Sequence, residues 1–321
     1  MLFERKIIEV YKQQLLVRYD DIGIIRYFGA SDFPGLRTLP FSFSGAYGQK
    51  LRGSFYYYGE MSSERVVIFD HGMGVGHPAY TKEIVELAKA GFTVLSYDHT
   101  GCRDSEGENI RGFAQSLSDL DFCIRALKSA REYKNLSISV VGHSWGAFST
   151  LNIAAIHKDI THVVAMSGFI SVKDMLGQFF GGILKLYIPA IYRLESTGVP
   201  GYVNYNAIDS LSESATRAMV IHSEDDDVVS FKKHFSKLKK ALEQNENVTF
   251  VAVSEKGHNP NFTIDAVKMK NRFFKDCKKK MKEGYFTDDE KKNEFKSRYD
   301  FDKMSEQDPD VWERIIKFLN S

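Results

Sequence analysis

The chain has 321 residues, of which 43% are hydrophobic, and its 43 lysines and arginines are balanced by 42 aspartates and glutamates. This length predicts one large α/β domain with insertions rather than two independent domains. The formal net charge of +1 provides no global field that would attract nucleic acid. We therefore expect a small-molecule partner and no binding of nucleic acid.

The cysteines and the apolar stretches indicate the cellular compartment. Cys102, Cys123 and Cys277 are widely spaced and form no C-x-x-C pair, so we interpret them as free thiols in a reducing compartment. The charged start is unlike a signal peptide, and Lys185 and Pro189 interrupt the most apolar later stretch. We expect a cytoplasmic protein with no integral membrane segment, and the sequence leaves its oligomeric state open.

The spacing of apolar residues predicts an α/β fold. A helix-like start around Ile7 to Tyr11 precedes alternating residues from Phe41 that turn at Gly48, which is typical of an antiparallel hairpin. Helical patterns then separate six short apolar runs, at residues 66–69, 93–97, 137–141, 163–166, 219–222 and 248–253. This alternation predicts a mostly parallel, doubly wound sheet with helices on both faces.

Two stretches interrupt the alternation and divide the chain. Residues 169–214 are rich in aromatic and aliphatic side chains, and an ordinary crossover between two strands needs far fewer residues. We predict that they form a helical cap or lid on a core made of residues 1–168 and 215–321. Residues 259–308 are strongly charged and are predicted to be an insertion before a closing amphipathic helix that contains Trp312 and Ile315.

A candidate nucleophile stands between a predicted strand and a predicted helix. The segment Gly142-His143-Ser144-Trp145-Gly146 has the form G-x-S-x-G, which by itself is common. Here the strand ends at Gly142 and the helix begins at Trp145, so Ser144 falls at a sharp turn whose glycines relieve crowding. We predict that Ser144 projects at the carboxyl edge of the sheet as a nucleophile rather than serving only as a helix cap.

A serine hydroxyl needs a base that a carboxylate orients. Three candidate carboxylates, Asp225, Asp226 and Asp227, follow the strand at 219–222. His258 follows the last predicted strand and is therefore the expected base. His71 and His222 are expected to hold loops together instead.

A glycine-rich loop after the first buried strand contains His71-Gly72-Met73-Gly74. We predict that the backbone N–H groups of Met73 and Trp145 form an oxyanion hole. A phosphate-binding loop is the alternative, but the Lys-Ser/Thr pair of such loops is missing.

These motifs together resemble the monoacylglycerol lipase and serine aminopeptidase-like branch of the α/β-hydrolases. The resemblance covers roughly residues 40 to 260 and the closing helix, and it rests on His71-Gly72-x-Gly74, Asp98 to Gly107, Gly142 to Gly146 and Gly257-His258. It implies the α/β-hydrolase fold, and the pattern Gly-x-x-Asp-x-x-Val, with Ser223 in place of glycine, favours Asp226 as the catalytic acid. In the segment after Asp98 the sequence departs from the family, since Thr100 replaces an arginine and Arg103 replaces a glycine.

The predicted chemistry is hydrolysis of a carboxylic ester through an acyl-enzyme, with no cofactor and no metal. The substrate is expected to be a small or medium acyl or aromatic ester, or a monoacylglycerol-like molecule. Four apolar residues of the predicted cap are candidates for its pocket, although they could equally form the cap's own core: Phe179, Phe180, Leu184 and Tyr187.

Other activities stay open. A thioesterase or an aminopeptidase is possible on the same fold, and an aminopeptidase would need acidic residues such as Asp174 or Glu195 to hold the substrate amine. A non-catalytic ligand-binding protein is an alternative from a different class. The lysines at 278–280 could contact acyl-CoA phosphates or an anionic lipid, but a solvated helix face is the favoured interpretation.

Overall fold

The computed structural model describes residues 2–74 and 76–321. Eight strands form one sheet: β1 (Leu36–Ser44), β2 (Lys50–Tyr58), β3 (Arg65–Asp70), β4 (Thr93–Tyr97), β5 (Ser137–His143), β6 (His162–Met166), β7 (Arg217–Ser223) and β8 (Val248–Val253). Their spatial order is β1-β2-β4-β3-β5-β6-β7-β8. β1 pairs with β2, and β2 with β4, in antiparallel fashion, and all other neighbours are parallel. The predicted fold class and its N-terminal hairpin are confirmed.

The helices connect these strands and close the chain. They are α1 (Leu2–Leu15), α2 (Thr81–Lys89), α3 (Gln115–Ser129), α4 (Trp145–Ile156), α5 (Val172–Phe179), α6 (Ile188–Gly198), α7 (Ala207–Ser212), α8 (Phe235–Ala241), α9 (Ile264–Lys282), α10 (Asp289–Lys296), α11 (Phe301–Met304) and α12 (Pro309–Leu319). Within the described ranges, every helix is too short or too polar to span a bilayer.

Alternating side chains of the central strands face two separate cores. Val66 and Ile68 of β3 point into one core, with α3, α4 and α8, while Val67 and Phe69 point into the other, with α2 and α12. This period of two, with both sets apolar, is what a sheet covered on both faces requires. The carboxyl edge of the parallel strands is left between the two helix layers, where loops can converge.

Residues between β6 and β7 form α5, a 3-10 helix at Gly182–Tyr187, α6 and α7. This region is not detached from the core, because Leu176, Ile191 and Leu211 are fully buried in the cluster that contains α3 and α4. α1 packs beside it through Tyr11, whose hydroxyl donates to the Glu195 carboxylate at 2.6 Å.

The charged stretch after β8 is helical and has an aromatic core of its own. α9, α10 and α11 pack around Phe273, Phe295 and Phe301, together with Ile24 from the N-terminal segment. The ring of Phe273 lies 5.4 Å from that of Phe301 and 5.6 Å from that of Phe295. Lys278 and Lys279 remain exposed on α9. The insertion therefore presents lysines to solvent while its inner face packs against residues near the chain's start.

Candidate active site

Ser144 stands on a strained turn between β5 and α4. Its φ of +56° and ψ of −112° lie in a region that non-glycine residues rarely adopt. A Cβ on Gly146 would collide with the backbone carbonyl of Asp70, and one on Gly142 would collide with the Thr150 hydroxyl. Glycine at both positions therefore lets β5, α4 and the end of β3 approach closely enough to hold the turn.

The three residues expected to act together are in contact. His258 Nε2 lies 2.7 Å from Ser144 Oγ, and His258 Nδ1 lies 2.9 Å from Asp226 Oδ2 and 3.1 Å from Oδ1. Asp226 follows β7, His258 follows β8, and Ser144 follows β5, so parallel strands deliver all three to the same edge of the sheet. Both other candidates for the acid, Asp225 and Asp227, have different surroundings.

Asp226 is held by hydrogen bonds from several directions. The backbone N–H groups of Val228 and Val229 each donate to its Oδ1 at 2.9 Å. His222 Nε2 lies 2.8 Å from the Val229 carbonyl oxygen and 3.1 Å from Asp226 Oδ2. Both are acceptors, so this nitrogen carries its proton. Burial opposes ionisation of Asp226, but the hydrogen bonds from His222 and His258 and the nearby imidazole outweigh it and lower the pKa of the carboxyl.

Asp225 holds the neighbouring loop rather than the His258 ring. Its carboxylate accepts hydrogen bonds from the Ser223 hydroxyl and from the backbone N–H groups of Lys256 and Gly257. It therefore ties the end of β7 to the segment that leads into His258. Asp227 is exposed to solvent.

His143, directly before Ser144, connects two other parts of the site. Its Nε2 lies 2.6 Å from the backbone carbonyl oxygen of His258, and its Nδ1 lies 2.9 Å from the Tyr80 hydroxyl. The carbonyl can only accept, so Nε2 donates and Nδ1 accepts from Tyr80. Burial, reinforced by His258, lowers the pKa of His143 to about 3, which keeps the ring neutral. The sequence pattern predicted no role for this residue, whose only signal is its place inside the G-x-S-x-G segment.

The loop after β3 lies directly against Ser144. A Cβ on Gly72 would come within 3.2 Å of Ser144 Cβ and would collide with the Tyr80 hydroxyl. Among the described residues, no hydrogen-bond acceptor pairs with the backbone N–H of Met73 or of Trp145. Both amides therefore keep an unused hydrogen-bond donor within the described part of the chain.

Below this loop, His99 is buried between two carboxylates. Its Nε2 lies 3.2 Å from Asp70 Oδ1, and its Nδ1 lies 3.3 Å from Asp119 Oδ2. Burial opposes protonation, but Asp70 and Asp119 outweigh it and raise the pKa of His99 to about 10. The His99 ring also packs on Trp145, with centroids 4.8 Å apart. This buried cluster connects the end of β3, the segment after β4, α3 and the start of α4, and no sequence pattern predicted it.

The four pocket candidates lie near α1. Phe179 stacks on Phe113, whose carbonyl accepts from Trp145 Nε1 at 2.6 Å, while Phe180 and Leu184 line a groove with α1. The Tyr187 ring lies 5.6 Å from that of Phe3. Phe179 is 46% exposed and Leu184 is 38% exposed, so neither side chain is enclosed in a cap core.

Both acidic residues considered for amine binding are engaged elsewhere. Asp174 pairs with Lys237 at 2.6 Å and accepts from Ser171 at 2.7 Å. Glu195 is fully buried, and besides Tyr11 it accepts from the backbone N–H of Phe113 at 2.7 Å. Across the part of the chain that the structure describes, no three His, Cys, Asp or Glu side chains are grouped as metal ligands.

The mostly parallel sheet, the strained turn after its fifth strand and the converging loops define an α/β-hydrolase. The family model described as serine aminopeptidase, S33, matches residues 61–249, more than half of the chain. The chain therefore belongs to this family of hydrolases, as the sequence motifs predicted. No curated protein sequence matches it significantly.

Solved structures resemble the chain in fold. An esterase of Pyrococcus furiosus has 19% sequence identity and a TM-score of 0.59, and the match covers 88% of this chain and 98% of that one. An α/β-hydrolase of Penicillium sp. sh18 has 19% identity and a TM-score of 0.51, with 82% and 99% covered. At these identities the likeness supports the fold.

Proposed function

We propose that the chain is a serine hydrolase that cleaves a carboxylic ester through an acyl-enzyme. The observation that carries this proposal is the continuous set of contacts from Ser144 Oγ through His258 to Asp226. A hydroxyl, an imidazole and a buried carboxylate in this sequence of contacts are what activation of a serine requires.

In the proposed reaction, His258 Nε2 removes the proton of Ser144 as its oxygen attacks the acyl carbonyl carbon. Asp226 accepts from Nδ1–H, which fixes the imidazole tautomer and stabilises the cation that forms. His258 then protonates the departing alcohol oxygen, leaving the acyl group on Ser144. A water molecule, deprotonated by the same imidazole, attacks the acyl-enzyme, and the proton returns to Ser144 as the acid leaves.

The negative oxygen of each tetrahedral intermediate would be bound by the backbone N–H groups of Met73 and Trp145. Their lack of hydrogen-bond partners among the described residues supports this role. Trp145 also begins α4, so the positive end of the helix dipole faces the developing charge. Each such donor is worth about 10²- to 10³-fold in turnover.

An ester is preferred over a peptide because of the acidic residues. An aminopeptidase must pair the substrate's ammonium with a carboxylate, and Asp174 and Glu195 already have other partners. We further propose that residues 169–214 form a cap, with Phe179, Phe180, Leu184 and Tyr187 offering apolar surface to the substrate. The three cysteines are free and buried, which favours a cytoplasmic setting.

The test is kinetics on p-nitrophenyl esters of short, medium and long acids, with an aminoacyl amide and an acyl-CoA measured alongside. We expect ester hydrolysis to dominate and Ser144→Ala to lower its turnover by about 10⁶-fold. Ser139→Ala, a serine within β5, serves as the matched control and should retain activity. A clear preference for the aminoacyl amide or for the acyl-CoA would replace the esterase assignment, and inactivity on every substrate would favour a ligand-binding protein.

A further inference from the structure

A cavity of about 350 Å³ adjoins the candidate site, and its lining includes no residue of the proposed cap among those described. Gly72, Met73 and Tyr80 line one end of it, and Asn259, the residue after His258, lines another part. Gly72 packs against Ser144, so the cavity begins next to the proposed nucleophile. Its size is at the lower end of the range for small-molecule sites, about 300–1,000 Å³.

Much of the rest of its wall comes from two distant parts of the chain. Tyr27 and Phe28 belong to the N-terminal segment, whereas Phe273, Phe274 and Phe301 belong to the charged insertion. Phe273 is fully buried in the insertion's own core, but Phe274 is 47% exposed. The insertion thus supplies an aromatic wall for an apolar ligand.

One positively charged side chain in this wall, that of Lys270, can still donate hydrogen bonds to a ligand. Lys270 is partly buried, its Nζ donates to Asn259 Oδ1 at 2.7 Å, and it lies 4.6 Å from the centre of the Phe262 ring. Among the described residues, Lys270 has no ion-pair partner, although Glu83 is close enough to act on its charge. An ammonium offers three donors, so it can still bind a ligand. Burial lowers the pKa of Lys270 to about 8, with Glu83 opposing the shift, so the group is still mostly charged at neutral pH.

The other charged side chains of the cavity already have hydrogen-bond or ion-pair partners. Arg26 pairs with Asp32 at 3.0 Å, and Lys82 pairs with Asp302 at 2.7 Å. Glu83 accepts from Asn261 at 3.1 Å, and burial raises the pKa of its carboxyl. Lys270 is thus the cavity's available partner for a single negative charge.

We propose that this cavity binds the acyl chain of an ester whose far end carries a carboxylate, with the carboxylate paired to Lys270 and the chain packed on the aromatic wall. The acyl side is chosen because Met73, whose amide would bind the acyl oxygen, lines the cavity. A carboxylate fits better than a phosphate, because one ammonium beside Glu83 would leave the second charge of a phosphate uncompensated. This inference rests on the proposed function and deepens it by naming a substrate class.

The test compares p-nitrophenyl octanoate with the p-nitrophenyl monoester of suberic acid, which has the same chain length and a terminal carboxylate. We expect wild-type kcat/KM to favour the suberate ester by about tenfold or more, since a hydrogen bond to a charged group has this value. Lys270→Met should lower this preference by about tenfold or more. Lys278→Met, an exposed lysine on the same helix, is the matched control and should leave it unchanged.

Calorimetry of suberate with the Ser144→Ala variant measures the affinity of the cavity in the absence of turnover. This affinity should weaken when Lys270→Met is added. Lys270→Gln serves as a second variant if thermal melting shows that the methionine variant is unfolded. Hydrolysis of both esters without preference, together with no suberate binding, would overturn the inference and leave the proposed function standing. Suberate binding that depends on Lys270, in a protein that cleaves no ester, would support the cavity's specificity and reject the proposed function.

Discussion

His143 Nε2 lies 2.6 Å from the backbone carbonyl oxygen of His258. The residue that precedes the proposed nucleophile therefore holds the loop of the proposed base, while Tyr80 donates to its other ring nitrogen. The His143 ring lies 4.9 Å from the His258 ring, but among the described contacts it forms no hydrogen bond with Ser144 Oγ or with the His258 ring nitrogens, so we assign it a positioning role. It couples the β5 turn and the loop after β8 so that the distance from Ser144 Oγ to His258 Nε2 is maintained.

Replacement of His143 should affect turnover more than substrate binding. We expect His143→Ala to lower kcat by about tenfold to a hundredfold, because small misplacements of a reacting group are costly, with little change in KM. Tyr80→Phe, which removes only the hydroxyl that donates to His143, should cause a smaller loss. Steady-state kinetics on one p-nitrophenyl ester separates kcat from KM, and an increase in KM at constant kcat would refute the positioning role.

The acid can be tested with a matched neighbour. Asp226→Asn preserves shape but removes the charge that fixes the His258 tautomer, and we expect kcat to fall by about 10³- to 10⁴-fold. Asp227→Asn, at the exposed adjacent position, should have activity close to that of the wild type. Equal losses in the two variants would contradict the assignment of Asp226.

A pH effect on stability is expected from Glu195. Burial raises the pKa of its carboxyl from an ordinary 4.5 to about 7, outweighing the hydrogen bonds from Tyr11 and Phe113. Between these pH values the folded state binds more protons than the unfolded state, so the free energy of unfolding should fall as pH rises. Over this whole pH range, Glu195 should lower the free energy of unfolding by on the order of 3 kcal/mol.

Urea unfolding across this pH range, compared between the wild type and Glu195→Gln, isolates the contribution. The glutamine variant should lose this part of the fall, whereas Glu213→Gln, at an exposed position, should follow the wild type. Other buried groups act in the opposite direction, His143 among them, so the difference between variants is the informative quantity. Parallel profiles for all three proteins would exclude a raised pKa for Glu195.

Much of this architecture was predictable because its signals are local. The six apolar runs became β3 to β8, and the strand-turn-helix pattern around Ser144 predicted the strained turn. The substitution at Arg103 is equally informative, since this residue adopts a φ of +40° where the family pattern has glycine. Short stretches of sequence determine such local backbone conformations.

The unpredicted features depend on packing between distant segments. Phe273, Phe295 and Phe301 fall within a charged stretch, and nothing local shows that they join Ile24 in one core. The cavity beside Met73 exists only because that core lies against residues 25–28. His143 lies inside the G-x-S-x-G segment and His222 was expected to hold loops together, but the partners of both are determined by loops that meet in the folded chain.

Two glycine substitutions probe the loop beside Ser144. In Gly72→Ala the new methyl group would collide with the Tyr80 hydroxyl and press on Ser144, and we expect kcat/KM to fall by about 10²-fold. Gly177→Ala, where a Cβ meets nothing within 4 Å, should leave activity intact and stabilise α5 by up to about 1 kcal/mol. Ester kinetics and thermal melting of both variants distinguish a local effect from general unfolding, and full activity in Gly72→Ala would contradict the described closeness of the loop to Ser144.

Ser144 is proposed to be an activated nucleophile. This claim is tested most directly by treating the wild type and Ser144→Ala with a fluorophosphonate probe and measuring the intact mass and the labelled peptide. We predict a single adduct on Ser144 in the wild type and none in the variant. Failure of the folded wild type to react, or equal labelling of Ser144→Ala, would contradict the claim.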